Sequence, residues 1–510
     1  MTKVLTAWKA VRSVATVTGY EVPGRGYCYD SAWKAVRQWR CFKFMSCGVV
    51  PSRHIIFDSL FRGLRPRLLS LRSVVPSRHF AHNPIYTYIY YTLLLCLAVC
   101  GSTEAQTVLP GSCTQKARHI RTVQLGVNGD FERLPVIALG SGDRVTLAFD
   151  DLTHEYRRYT YTVEQCNADG TLNEELFDTE YLASPASEDV IEDYENSLNT
   201  SVLYTHYTLS IPNANVRPKL SGNYRITVKT ENDEGEEETA LVAYFAVNES
   251  CAGLSITCDT DTEIDRNATH QQLSLRADLG SLPLRDASSE VKLIVAQNRR
   301  SDNALFGIRP TSVSGGVLLW EHCRDLIFNA GNEYRKMEMP ATRYPGMHLD
   351  HIRYYDPYYH ATVMPDTPRR NYLYDEDQNG RYVPRCENSA APETEADYLV
   401  THFALETDYV PGRRVFLDGR WTDFAFSDEY ELHYDAEAQA YTAAVLLKQG
   451  YYSYQYLALS EAQPEKGLTA PYEGDFYQTS NEYAALLYYR RTGDRYDRLV
   501  GYAKILFELK

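Results

Sequence analysis

The sequence predicts a mainly β fold of tandem β-sandwich domains, and three observations carry that prediction. Apolar and polar residues alternate at a period of two in short runs beyond residue 120, as in Val145, Leu147, Phe149 and in Tyr224, Ile226, Val228. Gly, Asn, Asp and Pro interrupt these runs at turn-like intervals. Tyrosine dominates the aromatics, with 41 Tyr against 17 Phe and 5 Trp, and rings with a polar tip favour strands and partner-facing surfaces. No amphipathic stretch longer than about three turns stands out, so helices are expected to be minor.

The chain's 510 residues allow two to four domains at roughly 100–200 residues each. Of 52 Lys and Arg, 14 fall in residues 1–105, where only 4 of the 67 Asp and Glu lie, so the remainder carries 38 basic against 63 acidic residues. That field repels nucleic acid and anionic headgroups, and neither is an expected partner. Residues 1–84 read as a mis-annotated or disordered basic extension, because residues 7–12 return at 32–37 and 49–54 at 74–79, both 25 residues on. Only these fragments recur, so translated repetitive DNA explains them better than a solenoid. Residues 85–105 read as a signal peptide: an apolar run at 85–99, short of the ~20 residues of a spanning helix, then small residues and a cleavage site after Ala105. A lipid-modified Cys100 is the competing reading, disfavoured by bulky Val99 just before it. No direct membrane insertion is expected after cleavage. Six cysteines follow, Cys113, Cys166, Cys251, Cys258, Cys323 and Cys386, which suit either disulfides in an oxidising compartment or buried thiols.

Residues 118–248 have the strand count and spacing of an immunoglobulin-like sandwich, with alternating runs around Tyr159, Tyr161 and Val163 and an acidic turn at 231–238. Residues 251–390 form a β-rich middle domain, with strand candidates at 271–277 and 291–297. The charged, Pro-bearing run 381–396 reads as a linker, and residues 396–510 as a C-terminal early-set-like sandwich. Within it, segments 441–447 and 451–457, joined by a turn at 448–450, are expected to form a hairpin with one Tyr-rich face.

Motifs for the common catalytic classes are absent: no H-E-x-x-H, G-x-S-x-G, Walker loop, C-x-x-C or G-x-G-x-x-G. A carboxylate pair assembled across strands leaves no such signature. No catalytic residue, cofactor or metal site is therefore assigned. The run from Asp375 through Asp377 and Asn379 to Gly380 matches the opening of a calcium loop, but Cys386 stands where the bidentate Glu belongs, so an Asx-type turn fits better. Asp259, Asp261, Glu263 and Asp265 alternate as a solvated strand face would. Trp421, Tyr452, Tyr454 and Tyr456 are candidate contacts for a partner or a glycan, since aromatic faces of β-sandwich modules stack on sugars; a core Trp421 beside a cross-strand tyrosine ladder is the competing assignment.

In order along the chain, several segments resemble one family, the type IX secretion system plug proteins of Bacteroidetes. They are Arg121-Thr-Val-Gln-Leu125, Asn128-Gly129, Leu134-Pro135, Phe149-Asp-Asp-Leu152, Ile191-Glu-Asp-Tyr-Glu-Asn-Ser-Leu-Asn-Thr200, Tyr204-Thr-His-Tyr207, Pro212-Asn213 and Lys219-Leu-Ser-Gly-Asn-Tyr224. Further on come Gln297-Asn-Arg299 with Asp302, Gly331-Asn-Glu-Tyr-Arg335, Asp377-Gln-Asn-Gly380, Leu447-Lys-Gln-Gly-Tyr-Tyr452, Glu473-Gly474, Tyr488-Tyr-Arg490 and Gly493-Asp-Arg-Tyr-Asp-Arg-Leu-Val-Gly501. One departure is the loop Gln165-Cys-Asn-Ala-Asp-Gly170, where the family pattern usually has a His before the Cys and a Trp at the end. The resemblance implies a non-enzymatic periplasmic protein that docks on the outer-membrane translocon barrel and closes its periplasmic mouth. A periplasmic carbohydrate-binding β-sandwich protein is the alternative expectation.

Overall fold

The computed structural model describes residues 108–509 apart from 185–187, 233–234, 388 and 424. The expectations for residues 1–84 and 85–105 lie outside the described residues. Strands take 48% of the described residues and helices 5%, so the expected mainly β class is the one adopted.

Period-two alternation builds the first sandwich. Its ten strands are β1 (Cys113–Lys116), β2 (Ile120–Val127), β3 (Val136–Ala138), β4 (Val145–Asp151), β5 (Thr160–Cys166), β6 (Asp189–Val190), β7 (Asp193–Asn196), β8 (Thr205–Ile211), β9 (Gly222–Glu231) and β10 (Glu237–Asn248). One sheet runs β1-β10-β9-β5-β6 with β3 parallel to β10, and the other β2-β4-β8-β7. Val145, Leu147 and Phe149 of β4 meet Tyr161, Val163, Tyr224, Ile226 and Val228 of the facing sheet in one core. The other face of β4, Thr146, Ala148 and Asp150, is also buried, because a later part of the chain covers it.

A second pair of sheets follows. One contains β11 (Gly253–Asp259), β12 (His270–Asp278), β15 (Ser312–Ser314), β16 (Val317–Trp320) and β17 (Ile327–Asn329). The facing sheet starts with β13 (Val291–Gln297) and β14 (Leu305–Phe306). Before that sheet is complete, the chain builds ten strands of a different one: β18 (Arg335–Glu338), β19 (Leu349–Tyr355), β20 (Tyr358–Val363), β21 (Tyr382–Pro384), β22 (Tyr398–Glu406), β23 (Arg413–Asp418), β24 (Glu431–Asp435), β25 (Ala440–Lys448), β26 (Gly450–Ser460) and β27 (Gln463–Leu468). Their order is β18-β26-β23-β24-β25-β22-β20-β19, with β21 and β27 also on β26, and the sheet curls around one core. The last two strands, β28 (Asn481–Tyr489) and β29 (Arg498–Phe507), then return to pair with β13.

This topology corrects the expected division into 251–390 and 396–510. Tyr483, Ala485, Leu487, Tyr489 and Val500 pack with Leu273, Leu275, Leu293, Val295 and Trp320, so the C-terminal hairpin belongs to the second core. The expected linker 381–396 contributes β21 to the curled sheet and lies inside that unit. The expected hairpin is corrected too: β25 pairs with β22 and β24, while β26 pairs with β23, β18, β21 and β27. At the would-be turn, the Gln449 amide donates to the Asp397 carbonyl at 2.7 Å. A Cβ on Gly450 would sit 2.3 Å from the Val383 carbonyl oxygen, because β21 occupies the edge that a hairpin partner would need.

Candidate functional site

The four aromatic residues marked as partner or glycan contacts lie in the core of the curled sheet, which corrects that expectation. Trp421 is 6% exposed, donates its Nε1–H to the Ser453 carbonyl at 3.2 Å, and packs on Phe403, Tyr430 and Tyr452. Tyr452, Tyr454 and Tyr456 share one face of β26, as alternation requires, but that face turns inward. Each buried hydroxyl has an acceptor: Tyr452 donates to the Lys448 carbonyl at 2.6 Å, and Tyr454 and Tyr456 to Asp366 Oδ2 at 2.8 and 2.9 Å. Arg335 closes this network at 2.7 Å from Asp366 and 3.0 Å from Glu473. No ring face is left open for a sugar.

In the calcium-like loop, Asp377 Oδ1 accepts the Asn379 amide at 3.0 Å and Oδ2 accepts the Tyr334 amide, so both oxygens serve the backbone. Asp375 pairs instead with Lys336 at 2.6 Å. The segment is an Asx turn closed by Gly380 at φ +79°, where left-handed backbone favours glycine. The alternating acids after β11 likewise bind locally, Asp265 to His270 at 2.7 Å and Glu263 to His322 at 2.9 Å. Among the described residues, no group of three or more His, Cys, Asp or Glu is arranged to hold a metal.

Sequence reasoning missed a set of buried polar junctions that join the units. Asp150, on the outer face of β4, accepts from Lys448 Nζ at 2.6 Å, Tyr398 hydroxyl at 2.6 Å and His206 Nδ1 at 2.7 Å. Burial pushes the Asp150 carboxyl up, but Lys448 and His206 together hold it below its usual range, so it stays ionised. Lys448 also lies 4.2 Å from the Tyr204 ring centroid and donates to the Glu393 carbonyl at 2.7 Å. Asp397 accepts from the Ser201 amide and hydroxyl and the Val202 amide at 2.7–3.0 Å. Asp497 accepts from the Ala168 amide and Lys292 at 2.9 Å, which ties the C-terminal hairpin to the first sandwich. The available signal was Asp150-Asp151 at the end of an apolar strand, a position that is costly unless the charges are matched.

Groups suited to acid, base or nucleophilic work are held in structural roles. Burial pushes Glu333 up to about 7, aided by neighbouring Asp377, which burial itself raises to about 6. Tyr372 covers Glu333 and donates to its Oε1 at 2.8 Å. Burial raises the thiols of Cys166 and Cys258 to about 12, far from nucleophilic thiolates. Cys166, Cys251, Cys258, Cys323 and Cys386 are free thiols. Among the described residues, the exposed large apolar side chains include Leu373, 80% exposed, and Tyr374, 71% exposed, with Tyr354 and Tyr355 exposed at the end of β19. None of the described helices is long and apolar enough to cross a membrane.

Residues 120–249, nearly the whole first sandwich, match the family model described as type 9 secretion system plug protein 1st domain. Across all three units the chain is similar to the crystal structure of a hypothetical protein from Parabacteroides merdae ATCC 43184, at 38% identity and a TM-score of 0.75, covering 78% of this chain and 99% of that one. No curated protein matches the chain. The first-domain match, which spans nearly the whole first sandwich, identifies the chain as a member of the type IX secretion system plug protein family.

Proposed function

We propose that this protein is a non-enzymatic plug subunit that docks on the outer-membrane type IX translocon barrel from the periplasm and closes its periplasmic mouth. Membership of the plug family carries this reading. Two features support it. The buried Asp150–Lys448 pair and the hydrogen bond from the Ala168 amide to Asp497 fix the β-units to one another, and a body that stops a wide pore must resist deformation. Leu373 and Tyr374 on a loop, and Tyr354 and Tyr355 at the end of β19, offer apolar contact area, and aromatic residues bind with little loss of side-chain entropy. Opening then means that a competing partner or cargo binds the barrel better than the plug does, a shift set by differential affinity.

The glycan-binding alternative loses the residues proposed for it, since Trp421, Tyr452, Tyr454 and Tyr456 are core. The test is an affinity pull-down with C-terminally tagged protein from detergent-solubilised outer membranes. The translocon barrel is expected among the captured proteins, and its recovery should drop with a Leu373→Asp, Tyr374→Asp double variant. Capture of glycan-utilisation proteins and no barrel would overturn the proposal.

A further inference from the structure

The outer face of the curled sheet carries histidines that none of the buried polar networks uses. His351 on β19, Thr362 on β20 and His402 on β22 stand side by side in register, and His360 lies two residues before Thr362 on the same strand. Residues two apart share a face, so His360, Thr362 and His402 lie opposite the core that Ala361, Val363, Phe403 and Leu405 enter. His360 and His402 are half-buried, and Nδ1 of the first lies 2.8 Å from Nε2 of the second. Their planes differ by 17° and their centroids lie 5.1 Å apart, so ring nitrogens rather than ring faces make the contact.

Two imidazoles meet this closely only when at least one facing nitrogen carries no proton. Burial, with the charges of His360 and His351 nearby, holds the His402 imidazole below its usual range, which favours the neutral form that binds metals. Among the described residues, neither ring of the pair has another hydrogen bond or an ion pair. His351 differs, since its Nδ1 is held by Asp350 at 2.7 Å. Whichever ring of the pair donates can move its proton to its own far nitrogen. That tautomer shift frees both facing lone pairs without adding or removing a proton.

The surroundings suit a metal ion. Zn–N bonds of about 2.0–2.1 Å place two nitrogens of a tetrahedral shell about 3.4 Å apart, so the pair needs to part by only about half an ångström. Thr362 and Ala444 flank His402 in register, and Ala444 is exposed, so small neighbours leave room for water ligands. The charged residues of β19, β20 and β22 are Asp350, Arg353 and Glu406, so no excess of positive charge opposes a cation. Imidazole nitrogen suits borderline ions such as Zn²⁺, whereas Mg²⁺ and Ca²⁺ take oxygen ligands. We propose that His360 and His402 form a two-histidine site for a late first-row divalent cation of the zinc type, with water completing its shell. The β19–β20 hairpin pairs with the rest of the sheet through β20 and β22, so the ion clips this edge hairpin, with its exposed Tyr354 and Tyr355, in place.

The site is independent of the translocon reading and is tested without the barrel. Zn²⁺ is titrated calorimetrically at neutral pH into the full chain and into His360→Ala, His402→Ala and His433→Ala, the last on β24 of the same sheet and outside the pair. Losing even the outer partner of a metal ligand costs about tenfold to a hundredfold in affinity, so losing a ligand should cost no less. The wild type and His433→Ala should therefore bind one more equivalent of Zn²⁺ than either pair variant, and Mg²⁺ should not compete. On the wild type, Zn²⁺ should also protect His360 and His402, but not His433, from carbethoxylation by diethyl pyrocarbonate, read by peptide mass spectrometry. That reading decides alone should a variant not fold. Equal stoichiometry in all four chains, protection of neither histidine, displacement by Mg²⁺ or no Zn²⁺ binding would overturn the proposal.

Discussion

Lys448 shows what a single residue contributes here. Its ammonium is buried against Asp150, and removing one partner of a buried pair strands the other charge. Lys448→Met is expected to cost about 3–5 kcal/mol in denaturant unfolding, and Asp150→Asn combined with it should cost less than the two single changes added together. Glu333 has the opposite electrostatics. Its folded-state pKa of about 7 lies above the ordinary value near 4.3, so the folded chain holds this proton more tightly than the unfolded one. Its contribution therefore becomes less favourable as pH rises through that interval, and Asp377, raised to about 6, acts in the same direction. Glu333→Gln removes its share of this dependence. The stability of the wild type relative to Glu333→Gln should fall between pH 5 and pH 8, read as the difference in thermal midpoints, and a constant difference would contradict the assignment.

At the scale of elements, the C-terminal hairpin makes the sharpest demand. β28 and β29 supply Tyr483, Leu487, Tyr489 and Val500 to a core whose other half lies at residues 256–328. Deleting residues 481–510 should leave the second unit open to limited proteolysis while the first sandwich stays resistant; resistance throughout would contradict the shared core. Strand existence was legible in the sequence, because alternation at Val145–Phe149 and Tyr224–Val228 is local. Pairing was not. Residues 441–447 and 451–457 look like a hairpin since only three residues separate them, yet β18 and β21 pair with the two opposite edges of β26 at Tyr451 and Tyr452 and leave neither for β25. The tyrosines of β26 were legible as one face, but which way that face points depends on sheet curvature that no local pattern encodes. Asp150 and Lys448 were unreadable as junction residues because they stand 298 positions apart, on different units.

For the whole molecule, the acidic balance, interlocked β-units and exposed apolar residues suit the proposed role of a body that works by contact. Family membership gives that contact a setting in type IX secretion, and the docking and closing steps are the proposal built on it. The most direct measurement is the conductance of the purified translocon barrel in a planar bilayer, with this protein added to the periplasmic side. The account predicts that the open-barrel current falls on addition and recovers with the Leu373→Asp, Tyr374→Asp variant. An unchanged current, at protein concentrations that saturate binding to the barrel, would contradict it.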